Sequence, residues 1–80
     1  MTKGKPHRRN EKAIATLAIN IKKYRLQQNI TIQQLANIID VDYSQIGRME
    51  RGVVNPNISI VFDIAKALNI DPRQLLEQSS

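Results

Sequence analysis

The apolar residues of this chain recur at the spacing of an α-helix, and no two segments alternate in twos as paired strands require. Ile14, Leu17, Ala18, Ile21 and Arg25 fall at i, i+3, i+4, i+7 and i+11. That is one face of an amphipathic helix beginning near Glu11 and stopping at Asn29. Start signals punctuate the rest. Thr31-Ile32-Gln33-Gln34 reads as a capping box, opening a helix of roughly eight residues that buries Leu35, Ala36 and Ile39. Asp40 suits a left-handed turn residue, and Asp42 is the next N-cap, opening a helix with Ile46 and Met49 inward and Gly52 at its end. After a loop at residues 53–56, Asn57 caps a fourth helix carrying Ile58, Val61, Ile64, Ala65 and Leu68. Asp71-Pro72-Arg73-Gln74 opens a short fifth helix with Leu75 and Leu76. The fold class expected is therefore all-α with five helices.

Composition narrows what such a bundle does. Eighty residues make one small domain, and with 4% aromatics and no Trp its core must be aliphatic. With no Cys and one His (His7), neither a disulfide nor a zinc site is expected, and no cofactor is called for. An enzyme is disfavoured, since the acids form no paired cleft signature and the lone His lies in the tail. No apolar run spans a bilayer and no signal-peptide core is present, so a cytoplasmic protein without membrane contact is expected.

Charge is distributed unevenly along the chain. Residues 1–25 hold eight Lys and Arg against Glu11 alone, whereas the remainder holds four against six acids. Residues 1–10, broken by Gly4 and Pro6, form a basic flexible arm carrying Lys3, Lys5, Arg8 and Arg9; residues 11–78 form the folded domain. Such an arm suits a polyanion, although a solubilising tail has the same composition.

The informative stretch is Thr31 to about Arg51, two short helices joined by a tight turn, in which the second helix is the one that enters a major groove. Ala36 is small where the second helix crosses, Val41 fills the turn, and Ile46 and Met49 pin that helix to the core. Tyr43, Ser44, Gln45, Gly47, Arg48 and Arg51 are left facing outward.

Leu35-Ala36, Val41, Ile46, Met49-Glu50-Arg51-Gly52, Asn55-Pro56 and Ile64-Ala65-Lys66-Ala67-Leu68 together resemble the lambda-repressor/Cro-type (Xre) helix-turn-helix family over about residues 17–77. The resemblance implies a five-helix lambda-repressor-like domain, usually dimeric, that acts as a sequence-specific transcriptional regulator such as a repressor. It places Tyr43, Ser44 and Arg48 at positions that meet base edges, with Gln45 beside them. Their chemistry agrees: Arg48 forks onto guanine O6/N7, and Ser44 serves donor or acceptor edges. Thr31, Gln33 and Gln34 sit where free amides and the helix dipole favour phosphate, although Thr31 and Gln34 also suffice as caps. Arg51 and Asn55 lie just beyond the recognition helix, in reach of the DNA backbone. Arg25 and Glu50 match an internal salt bridge of the family.

Three positions depart from the family pattern: Ile32 stands where a phosphate-binding Gln is common, Asp40 replaces the turn Gly, and Gly47 lies inside the recognition helix. For Gly47, close approach to DNA and drift at an exposed site are equally good readings. Phe62, Ile70, Leu75 and Leu76 are candidates for a homodimer interface, though they serve as well to close the monomer core. With the chain ending at Ser80, no separate oligomerisation domain is expected. The partner expected is double-stranded DNA, bound as a homodimer on a near-palindromic operator. The alternative is a protein-interaction module or an antitoxin on the same fold; a toxin or polymerase partner is not assignable from the residues.

Overall fold

The computed structural model describes residues 9–78, and the arm residues Lys3, Lys5 and Arg8 lie outside them. Five helices follow one another: α1 (Glu11–Gln27), α2 (Ile32–Ile39), α3 (Tyr43–Glu50), α4 (Ile58–Ala67) and α5 (Pro72–Leu76). Among the described residues there is no strand.

Each helix begins at the polar residue that the sequence marks, with one addition. Asn10 caps α1, its side-chain oxygen accepting from the Ala13 N–H at 2.9 Å. Thr31 and Gln34 form the expected reciprocal box, Gln34 N–H to Thr31 Oγ1 at 3.0 Å and Thr31 N–H to Gln34 Oε1 at 2.8 Å. Asn57 accepts from the Ile60 N–H at 3.0 Å, and Asp71 and Gln74 repeat the box at α5. Asp42 stands at the N-cap of α3 but makes no side-chain cap bond; only its carbonyl serves there, accepting from the Gln45 and Ile46 amides.

The first four helices end by one device. Asn29, Asp40, Gly52 and Asn69 adopt left-handed φ values of 56°, 59°, 72° and 56°. Behind each, the next amide reaches back to a carbonyl five residues earlier: Ile30 to Arg25, Val41 to Ala36, Val53 to Arg48, Ile70 to Ala65, at 3.0–3.1 Å. This closure satisfies carbonyls that a helix end would leave unpaired. Three of the four residues that follow, Ile30, Val41 and Ile70, then fold against the core. The closures therefore set both the helix lengths and the angles at which the chain turns.

Ile21, Leu35, Ile46, Ile64, Leu68 and Leu75 are fully buried, giving an aliphatic centre. The helix α1 packs on α3 and α5, α2 on α3 and α4, and α4 on α5. The expected stripe of α1 is buried throughout, Arg25 included. Ile39 is only half-buried. Ile58 departs from expectation: as the first residue of α4 it overhangs the body and is 63% exposed, while Ile60 takes the inward place. Asn20 is a buried polar residue on the inner side of α1. Its amide nitrogen donates to the carbonyls of Leu75 at 2.9 Å and Glu77 at 2.8 Å, fastening α5 where it has no helix left to satisfy it.

Candidate nucleic-acid interface

The outward flank of α3 is held in place from behind. Ile46 and Met49 are buried, and Glu50 at the helix end meets Arg25 of α1 in a two-pronged ion pair, Nε to Oε2 at 2.6 Å and Nη2 to Oε1 at 3.0 Å. The two side chains are only 8% and 6% exposed. Arg25 Nη1 also donates to the Ile30 carbonyl at 2.8 Å, so one guanidinium ties α1 to both the α1–α2 turn and α3. The hydrogen bond to Glu50 holds the Arg25 guanidinium protonated beyond its already high range, against the pull of burial.

With its back fixed, α3 leaves Tyr43, Ser44, Gln45 and Arg48 exposed. The side chains of Ser44, Gln45 and Arg48 make no hydrogen bond to any described residue, and Arg48 forms no salt bridge among them. Gln45, Arg48 and Asn55 line one surface hollow beside the α3–α4 loop, with Met49 and Ile60 at its base. The structure thus brings together on one side residues expected to contact bases and one expected to contact phosphate.

At the start of α2, capping engages Thr31 Oγ1 and Gln34 Oε1, and Gln33 donates to Asn37 at 2.9 Å along the helix. The Ile32 and Gln33 amides lie in the first turn, where a helix offers no internal acceptor, so they point outward at the positive end of the dipole. The backbone N–H groups of this first turn, that of Ile32 included, are the donors the helix end leaves without an internal acceptor.

Two outward expectations change. Gly47 is buried, not exposed: the Arg51 side chain lies back over it, with Nη1 at 3.1 Å from where a Cβ would stand. Leu75 is fully buried in the core and unavailable to a partner, whereas Phe62 and Leu76 are each 54% exposed and Ile70 is half-buried. Phe62 and Ile70 line one hollow with Lys66 and Pro72. Arg9, the one described cation of the arm's candidates, is occupied. It pairs with Glu11 at 2.8 Å and donates to the Val53 carbonyl at 3.3 Å. Sequence reasoning did not single out Asn20 for its clamp on α5; the signal available was a polar side chain three residues after Leu17 on the buried side of α1.

No group of His, Cys, Asp or Glu among the described residues is arranged to hold a metal, and no described helix is long and apolar enough to cross a membrane.

Two helices set at a left-handed turn, the second presenting polar side chains and the first its amino end, define a helix-turn-helix domain. Residues 21–75 match the helix-turn-helix family, and the chain belongs to that family, one of DNA-binding transcription regulators and not of enzymes. It is 38% identical over 60 residues to the control protein C.SmaI of Serratia marcescens, covering 75% of this chain and 71% of that protein. The structure is similar to the restriction-modification controller protein C.AhdI from Aeromonas hydrophila, with a TM-score of 0.75 and 27% identity over 78% of this chain and 94% of that one. It is also similar to a hypothetical transcription factor, NHTF, from Neisseria, with a TM-score of 0.80 and 25% identity over 92% of this chain and 86% of that one.

Proposed function

We propose that the protein is a regulator of the restriction–modification controller type, which binds a near-palindromic operator as a homodimer and reads it in the major groove. The observation that carries this reading is the exposed flank of α3, without a bond to any described residue, bearing Ser44, Gln45 and Arg48 on a helix braced by the buried Arg25–Glu50 pair. A rigid helix holding a guanidinium, a carboxamide and a hydroxyl clear of the body has the chemistry of base-edge recognition: Arg48 for guanine, Gln45 for adenine, Ser44 for either. Tyr43, 54% exposed at the helix start, adds a ring for a thymine methyl and a hydroxyl for phosphate or base. The amides at the start of α2, with Thr31, Gln33 and Gln34, meet the phosphates on one side and Asn55 on the other. Lys3, Lys5 and Arg8 of the arm supply further backbone contacts. The likeness to C.SmaI and C.AhdI, whose names give them as a control protein and a restriction–modification controller, supports the choice among regulators.

Dimerisation follows from the small size of the reading surface. One helix reads only a few base pairs, and a mismatch costs about 1–3 kcal/mol, too little for specificity in a genome. A twofold pair sets two recognition helices about 34 Å apart on an inverted repeat. Of the candidate interface residues, Phe62, Ile70 and Leu76 remain for that contact once Leu75 is counted in the core. The setting in which such a regulator meets its operator is the cytoplasm.

The test is selection of bound sequences from a random DNA pool at near-physiological salt, repeated with Arg48→Ala. Enrichment of an inverted repeat that Arg48→Ala abolishes or blurs is the expected result. Failure of the wild-type protein to enrich any sequence removes the reading in favour of a protein-interaction module.

A further inference from the structure

The recognition helix contains one residue without a side chain, and another side chain fills the space. Gly47 lies one turn before Arg51, on the same face of α3. A Cβ built on Gly47 would meet Arg51 Nη1 at 3.1 Å, and it has no other neighbour within 4 Å apart from adjoining backbone. Among the described residues the notch at Gly47 therefore serves Arg51 alone; no described helix, loop or core residue needs it. It is also paid for in helix propensity, since Gly is poorer than Ala in a helix interior.

The notch changes where the charge of Arg51 sits. By its place at the C-cap of α3, Arg51 belongs with the backbone-contacting residues past the helix end. The N-terminal part of a recognition helix is what reaches the bases, and its far end leaves the groove. Folded back over Gly47, the guanidinium stands about one turn nearer the helix start, at the level of Gly47 and next to the position of Arg48. Arg51 makes no side-chain hydrogen bond or salt bridge to any described residue, so its fork of donors is unspent. Arg48 and Arg51, three residues apart, are like charges on one helix surface, an arrangement that costs stability without an anion or acceptor between them.

Resting on the DNA-binding reading above, we infer that Gly47 is a positioning residue and that Arg51, laid across it, reads a base edge, guanine O6/N7, rather than clamping phosphate. The two roles leave different marks. A base reader sets the preference at one base pair of each half-site; a phosphate clamp weakens binding to all sequences alike.

The experiment is sequence selection from a random pool, followed by affinity measurement on the selected duplex and on its single-base variants, for wild type, Arg51→Lys and Gly47→Ala. Arg51→Lys keeps the charge and loses the fork. It is expected to lower discrimination at one base pair of each half-site roughly tenfold or more while leaving the other positions and the salt dependence unchanged. Gly47→Ala is expected to fold with an unchanged or higher thermal midpoint, yet to reduce discrimination at that same base pair, and Arg51→Lys in its background adds little more. Intact discrimination at every position in Arg51→Lys, or in Gly47→Ala, overturns the inference while leaving the DNA-binding reading standing. Absence of any enriched sequence for the wild type overturns both.

Discussion

Replacing Glu50 by Ala removes the acceptor of both prongs of the Arg25 guanidinium, bonds of 2.6 and 3.0 Å between side chains 8% and 6% exposed. Breaking one partner of a buried pair costs about 3–5 kcal/mol, because the remaining charge stays in a poorly solvated place. The lower end applies here, since Arg25 keeps its bond to the Ile30 carbonyl at 2.8 Å. A loss of about 3 kcal/mol lowers the melting temperature of a domain of this size by roughly 12 °C or more. Arg48→Ala, an exposed side chain with no bond to a described residue, stays within about 0.5 kcal/mol of wild type, roughly 4 °C at most. Thermal unfolding followed by circular dichroism at helical wavelengths measures both. The double variant Arg25→Met/Glu50→Leu, in which apolar groups replace the whole pair, is expected to recover much of the loss. Equal midpoints for Glu50→Ala and Arg48→Ala would refute the assignment of Arg25 and Glu50 as scaffold and Arg48 as reader.

Removal of residues 1–8, which spares the Asn10 cap and the Arg9 contacts, is expected to flatten the dependence of log K on log salt by about 0.9 for each phosphate released, with the preferred sequence unchanged. An unaltered slope in a salt titration shows the arm to be a solubilising tail. Asn20→Leu leaves two carbonyls of the α5 end without their donor and is expected to cost about 1–3 kcal/mol in chemical denaturation; a neutral result contradicts the clamp. Asp40→Gly relieves a non-glycine residue at φ 59° and is expected to raise the midpoint modestly, by about 0.5–1 kcal/mol of stability. The Asp71 carboxyl is held below the ordinary carboxylate range by its hydrogen bonds from the Arg73 side chain and amide. A depressed folded-state value stabilises above the unfolded value and is lost as pH falls through the folded one. The small stability difference between wild type and Asp71→Asn should accordingly be present at neutral pH and vanish in acid; a pH-independent difference excludes the charge as its source.

What was legible in the sequence was what local chemistry dictates. Thr31 with Gln34, and Asp71 with Pro72 and Gln74, announce helix starts because their side chains satisfy amides only a few residues away. The stripe from Ile14 to Arg25 announces a buried face because its period is fixed by the helix itself. Asp40 was legible as a left-handed residue, but Asn69 was not marked out, since nothing beside it in the chain distinguishes an Asn that closes a helix from one that is solvated. The remaining gaps involve contacts that no local motif announces. Asn20 acts on carbonyls 55 and 57 residues away, and Ile60 rather than Ile58 faces inward because of where α4 begins relative to the body. Gly47 looked exposed because its cover is the long side chain of Arg51, which a residue-by-residue helical wheel does not place. Leu75 and Leu76, adjacent and alike in chemistry, separate into core and surface only once α5 is packed on α1 and α4.

The central claim is that the flank of α3 stands free to meet DNA. Backbone amide resonances followed by NMR during titration with the selected operator duplex test it residue by residue. The largest shifts are expected at residues 43–48 and at the start of α2, near residues 31–34, with the buried side of α1 little changed. An α3 whose amides stay unmoved while the protein is saturated with DNA would contradict the account.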